Sequence, residues 1–227
     1  MEDATRITRK KSFNTVLFDL DGTLTDSSPG IIRSILYALE RMGIDELDVE
    51  KLKAFIGPPL RESFRIHYSL DPASAERAVA HYRDYFSHQG LYENYLYPGI
   101  SELLQDLRGK NKTLAVATTK PSVYARKILR HFEIDHYFSV ITGSYLDGRR
   151  SHKAGIIRYT LTRLGGIKSG DAVMVGDRHH DILGARENKI HSIGVLYGYG
   201  SPEEIGEANP TWTAKTTGEL RRLFSAG

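Results

Sequence analysis

The sequence predicts an α/β fold: a doubly wound parallel sheet, Rossmann-like in layout, with an inserted all-helical cap domain. Three observations lead there. Apolar runs of strand length alternate with segments of helical period from residue 97 onward, which is the pattern of parallel strands joined by crossover helices. Residues 28–96 instead read as helix throughout, with no convincing strand. Polar residues of chemical interest stand directly after the apolar runs, where ligands bind in open parallel sheets.

The elements follow in order. Thr15-Val16-Leu17-Phe18 is the first strand. Asp26-Ser27-Ser28-Pro29 starts a helix, with Ser28 as N-cap and Pro29 in its first turn. Ile31, Ile32, Ile35, Leu36, Leu39 and Met42 keep helical spacing until Gly43. Asp48 caps a short helix through Phe55, stopped by Gly57-Pro58-Pro59. Helices over 60–68 and from Asp71-Pro72 to near Gly90 complete this block. Beyond it come a helix over 99–108, a strand at 113–117, a helix at 121–132 and a strand at 138–141. A helix at 153–164, a strand at 172–175, a short helix near 181–188 and a strand at 192–196 close the series. The domains expected are therefore an α/β core of 1–27 and 97–227 and a helical cap of 28–96, with hinges near 27 and 97.

Composition narrows the function classes. The chain has 227 residues, 40% hydrophobic and 26% charged, room for one large domain or two modest ones. No apolar run approaches the roughly 18 residues that a membrane span needs, and no membrane partner is expected. Residues 1–11 are charged and lack an apolar signal core, which reads as a leader to the first strand and makes the cytoplasm the default location. There is no cysteine, so disulfides and thiolate metal sites are excluded. A formal charge of +3, with basic runs no longer than those at Arg9-Lys10-Lys11 and Arg149-Arg150, argues against nucleic acid.

The first strand runs into Asp19-Leu20-Asp21-Gly22-Thr23. Residues i and i+2 of an extended chain share a face, so both carboxylates reach one reacting group. Two such charges at a buried strand end repel and desolvate each other, and a divalent cation is the usual compensation. An Asp-Gly dipeptide also suits a plain turn, so the motif gains weight from its company. Thr118 and Thr119 end the strand at 113–117 ahead of a helix start and offer a hydroxyl and backbone N–H groups to a phosphate. Gly176-Asp177 ends the strand at 172–175, and Asp181 lies four residues on at a helix start. Lys153 heads its helix, where the dipole disfavours a cation unless an anion is present. His179-His180 is the tempting zinc site, but adjacent histidines should point apart, and the oxygen set Asp19, Asp21, Asp177 suits Mg²⁺ better.

With these motifs in this order, the chain resembles the haloacid dehalogenase superfamily. The inserted helical block and Phe55-Ile56-Gly57-Pro58-Pro59-Leu60 are similar to its phosphoglycolate phosphatase-like branch. The resemblance implies a phosphatase of small phosphorylated metabolites working through an aspartyl-phosphate. Asp19 would be the nucleophile and Asp21 the proton donor and later the base for water. Asp19, the Asp21 carbonyl and Asp177 would bind Mg²⁺, with Asp181 in support, while Thr118, Thr119 and Lys153 would hold the phosphoryl group. Thr119 and Ala154 depart from the Asn and Pro that branch members often carry, which weighs on phosphoglycolate as substrate. A 5′-nucleotidase is the alternative, since Tyr37, Tyr68, Tyr82, Tyr85, Tyr92 and Tyr95 lie in the helical block and offer stacking faces. A phosphomutase and a non-catalytic binding protein follow. Arg61, just after the Gly57-Pro58-Pro59 turn, is the residue expected to contact the leaving group.

Overall fold

The computed structural model describes residues 13–167 and 170–225, so the leader at 1–11 and its basic run lie outside the described residues. Six parallel strands form one sheet in the order β5-β4-β1-β6-β7-β8. The strands are β1 (Thr15–Phe18), β4 (Thr113–Pro121), β5 (Val140–Ser144), β6 (Ala172–Gly176), β7 (His191–Val195) and β8 (Trp212–Ala214). β1 lies at the centre, paired to β4 on one side and β6 on the other. The chain builds outward from β1 in one direction and then crosses to build in the other. The tips of β1, β4 and β6 therefore flank the topological switch point, where parallel sheets bind ligands.

Side-chain alternation explains the layers. Val16 and Phe18 pack with the cluster that holds Leu103, Leu104, Leu107 and Leu220. Leu17 faces the other way, onto Ala115, Ile156, Ile157 and Met174. A strand buried on both faces reads as a continuous apolar run, and each full burial of such a side chain contributes roughly 1.5–3 kcal/mol. Helices α5 (Ile100–Gly109), α6 (Ser122–His131), α7 (Lys153–Arg163) and α8 (His179–Glu187) connect the strands.

Between β1 and β4 the chain forms α1 (Ser28–Arg41), α2 (Val49–Lys53), α3 (Leu60–Tyr68), α4 (Pro72–Tyr85) and a π-helical turn at 86–90. Ile35 and Leu39 of α1, Phe64 of α3 and Val79 of α4 are buried and join the sheet's own apolar cluster. α1 begins one residue earlier than its sequence suggests. Ser27 is the N-cap, because Asp26 Oδ1 accepts from both the N–H and the hydroxyl of Ser28. The reading of 28–96 as wholly helical needs one correction. β3 (Tyr95–Leu96) pairs antiparallel with β2 (Thr25–Asp26), so the two chain crossings are hydrogen-bonded to each other. Two-residue strands leave no periodicity to read.

The elements after residue 196, α9 (Pro202–Ala208), β8 and α10 (Thr217–Ser225), were not expected from sequence. Three-residue β8 at the sheet edge is too short to alternate visibly. No helix among the described residues is long and apolar enough to cross a membrane.

Candidate active site

β1 ends at Asp19, whose N–H still donates to Val175 O at 2.9 Å and so belongs to the β1–β6 ladder. The chain then turns back on itself, with Gly22 N–H donating to Thr25 O at 2.8 Å. Gly22 has φ +80°, and a Cβ there would stand 2.1 Å from Asp177 Oδ2. Both conditions require glycine at this position. The tight turn brings Asp177 of the β6 tip against the Asp19–Thr23 loop: Thr23 Oγ1 donates to Asp177 Oδ1 at 3.0 Å. The other carboxylate oxygen accepts from Tyr199 N–H at 2.9 Å.

Lys153, the first residue of α7, is 5% exposed and bridges two strand-tip carboxylates. Its Nζ lies 2.9 Å from Asp19 Oδ2 and 2.7 Å from Asp181 Oδ1, and donates to Ala117 O at 3.2 Å. Burial alone would push its ammonium down, but Asp181 and Asp19 reverse this and hold it above the ordinary lysine value. The unfavourable dipole position is thus occupied for the sake of these anions. Asp181 serves twice, because its Oδ2 also accepts the Arg178 N–H at 3.1 Å as part of a capping box.

The acidic groups are strained by one another. Burial first, and then Asp181 and Asp19, push the Asp177 carboxyl up to about 8. Oxygens of Asp19, Asp177 and Asp181 all lie within 4.8 Å of one another, the arrangement among the described residues that fits a metal ion. With Asp21, the strand tips carry four carboxylates against the ammonium groups of Lys153 and Lys120. The excess negative charge and the all-oxygen donor set fit a hard divalent cation.

The histidines do not enter this set. Their rings lie 3.8 Å apart, so they do not diverge as adjacent positions suggest. His179 Nδ1 is engaged 2.6 Å from Glu204 Oε1 instead.

Thr118 is buried at the β4 tip, and its Oγ1 accepts the Lys120 N–H at 3.2 Å; Thr119 beside it is half-buried. Thr118, Asp19, Asp177, Asp181 and Lys153 are therefore brought to one rim. Arg61 does not join them. Its side chain is 61% exposed, and its Nε donates to Glu76 Oε2 at 2.7 Å across α3 and α4. The turn before it does reach the rim, since Arg178 Nη1 donates to Ile56 O at 3.1 Å.

Several residues here escaped the sequence reading. Lys120 Nζ lies 3.0 and 2.8 Å from the two oxygens of Asp21. Its signal was available, because Thr118 and Lys120 repeat the two-residue spacing of Asp19 and Asp21 on the neighbouring strand. Arg178 is clasped by Glu204 at 2.8 Å while it holds Ile56. Tyr199 joins the Asp177 carboxylate through its N–H to the chain crossing through its hydroxyl, which accepts from Ser27 N–H at 2.8 Å and donates to Asp26 Oδ1 at 2.9 Å. Of the tyrosines in the helical block, Tyr82 is the one whose phenol feels Asp21; burial and that charge raise it. Tyr37, Tyr68 and Tyr85 bond to Asp84, Glu46 and Glu93, and Tyr92 and Tyr95 are exposed.

The family model of haloacid dehalogenase-like hydrolases matches residues 16–195. The chain belongs to this family. It is 48% identical over 94% of its length to a 5′-nucleotidase of Pseudomonas aeruginosa, covering 96% of that protein. It is 41% identical over 92% of its length to the tyrosine-protein kinase PtkA of Mycobacterium tuberculosis, covering 72% of it. The crystal structure of a predicted phosphatase from Clostridium acetobutylicum superposes with a TM-score of 0.87 at 46% identity, covering 93% of this chain and 98% of that one. Relatives named phosphoglycolate phosphatase match at 27–30% identity. The protein is a phosphoric monoester hydrolase of the haloacid dehalogenase-like family, and its strand-tip acids form a site that fits a divalent metal.

Proposed function

We propose that this protein hydrolyses nucleoside 5′-monophosphates through an aspartyl-phosphate on Asp19. The observation that carries the mechanism is the Lys153 bridge between Asp19 and Asp181 beside buried Asp177, at the switch point of the sheet. The substrate class draws its support from the 48% identity to the Pseudomonas protein, over 94% of this chain and 96% of that one. Phosphoglycolate, suggested by the branch resemblance, has weaker support at 27–30% identity.

In this reading an oxygen of Asp19 attacks phosphorus, and Asp21 gives its proton to the departing ribose oxygen. Asp21 then takes a proton from the water that attacks the phosphoryl group on Asp19. Lys153 holds Asp19 in place and, with Thr118 and Thr119, offers donors to the phosphoryl oxygens; removing one such preorganised donor costs about 3–4 kcal/mol of barrier. Asp19, Asp177 and the main-chain carbonyl of Asp21 would hold Mg²⁺, with Asp181 in support. When bound, the ion offsets repulsion between carboxylate and phosphate. Residues 28–96 act as a cap that admits substrate and then excludes bulk water.

Phosphate release from nucleoside 5′-monophosphates, phosphoglycolate, sugar phosphates and phosphotyrosine, with Mg²⁺ and with chelator, tests this proposal. The nucleoside monophosphates should give the highest kcat/KM and should fail with chelator. Greater activity on another ester would overturn the substrate, and no release from any would overturn the reaction.

A further inference from the structure

Two buried ammonium groups stand against the strand-tip acids, and the mechanism above uses one. Lys153 serves Asp19. Lys120 is left over, and it is the more closely matched of the two to a single partner. Its side chain is 6% exposed, that of Asp21 is 20% exposed, and its Nζ touches both Asp21 oxygens at 2.8 and 3.0 Å. One ammonium bound to both oxygens fixes the plane of the carboxylate as well as its place.

The pair has a structural origin in β4. This strand pairs with β5 in register through Ala117 and then slips, resuming at Pro121. Inside the slip, the Lys120 N–H donates to Thr118 Oγ1 at 3.2 Å, which folds the strand end over the tip of β1. Phe86 of the π-helical turn covers the ammonium, with Nζ 4.8 Å from its ring centroid. Tyr82 stacks on that ring at 5.3 Å and Tyr124 meets its edge at 5.4 Å. The helical segment thereby shields the Lys120–Asp21 pair from water. A buried ion pair is a poor source of net stability, because desolvation offsets attraction, so stability alone does not account for it.

We propose that Lys120 is a positioning residue for Asp21, fixing the plane of its carboxyl group and aiming it at the leaving-group oxygen. The inference rests on the proposed function. In the step concerned, an Asp19 oxygen forms its bond to phosphorus as the bond from phosphorus to the leaving oxygen breaks. That oxygen keeps the bonding pair and takes the Asp21 proton, and Lys120 keeps its own protons throughout.

The signature is dependence on the leaving group. An alkyl alkoxide needs the Asp21 proton, whereas nitrophenolate leaves without it. Because kcat/KM reports steps only through leaving-group departure, the later water step does not blur the comparison. Lys120→Met should lower kcat/KM for an alkyl phosphate by about 10-fold or more, within the range of general acid catalysis, and for p-nitrophenyl phosphate by less than about 3-fold. Lys120→Arg should restore part of the alkyl activity, and Lys120→Gln provides the same comparison if the Met variant does not fold. An equal loss on both esters, or no loss on either, overturns the role. Asp19→Asn on the same esters separates the two levels: surviving turnover there sinks the aspartyl-phosphate mechanism itself, whereas uniform losses at Lys120 with Asp19 still essential sink this inference alone.

Discussion

Neutralising Asp177 should remove most of the pH dependence of stability that the acidic cluster imposes on the metal-free protein. Its carboxyl is pushed up to about 8 from an ordinary 3.8 by burial and by Asp181 and Asp19. Between these two values the folded state holds a proton that the unfolded state has lost. Stability therefore falls as pH rises through this window, by at most about 1.4 kcal/mol per unit. The whole window is worth at most about 6 kcal/mol, or roughly 12–24 °C in melting temperature for a chain of this size. In Asp177→Asn the amide oxygen still accepts the Tyr199 N–H and the NH₂ donates to the Thr23 hydroxyl, which must then turn its own proton elsewhere. Loss of that one hydrogen bond costs about 0.5–1.5 kcal/mol and does not vary with pH. The assay is thermal unfolding of both proteins in chelator from pH 4 to pH 9 at fixed ionic strength. The wild-type curve should fall relative to the variant, and Mg²⁺ should raise the wild-type melting temperature at pH 8 while leaving the variant unmoved. Parallel curves would refute the reasoning, as would equal Mg²⁺ stabilisation of the two.

Asp19→Asn should abolish phosphate release with the melting curve still cooperative, and Asp21→Asn should slow alkyl ester turnover by about 10²–10⁴-fold; both are read in a phosphate-release assay. Arg61→Ala should shift relative kcat/KM across an ester panel by less than about twofold and cost under about 1 kcal/mol, because its partner Glu76 is an exposed surface pair; Lys153→Ala should impair every ester. Glu204 is drawn down to about 2 against its partial burial by Arg178 and by the N–H and ring of His179. Its stabilisation is complete above the unfolded value near 4.3 and is lost as pH falls towards 2, so the melting-temperature gap between wild type and Glu204→Gln should close over that range.

The parts of this molecule that were legible in its sequence are those where one residue type has one physical reason to be present. Asp19 and Asp21 after a run of four apolar residues announce both a strand end and a charge problem. The Lys153 ammonium at a helix start announces an anion, and Asp19 and Asp181 are the anions. Contacts that join distant segments were hidden. Tyr199 bonds to Ser27 across 172 residues, and nothing in the local pattern of Gly198-Tyr199-Gly200 names that partner. Lys120 reads as an ordinary basic residue in a helix approach until the slip in β4 turns it onto Asp21. Arg61 misled for the converse reason: a turn of Gly57-Pro58-Pro59 does reach the strand tips, but it does so through the Ile56 carbonyl, and the helix that follows carries the guanidinium to Glu76.

The central claim is that phosphate passes through a covalent bond to Asp19, and trapping that bond tests it most directly. Enzyme turning over a nucleoside 5′-monophosphate labelled in its phosphate would be quenched in acid, digested and analysed by mass spectrometry. The account predicts label on the peptide that contains Asp19. With p-nitrophenyl phosphate, whose leaving group departs without the Asp21 proton, the label should increase in Asp21→Asn, where the base for the water step is missing, and with either ester it should vanish in Asp19→Asn. Covalent phosphate on any other residue, or continued turnover with no phosphorylated peptide in wild type or Asp21→Asn, would contradict it.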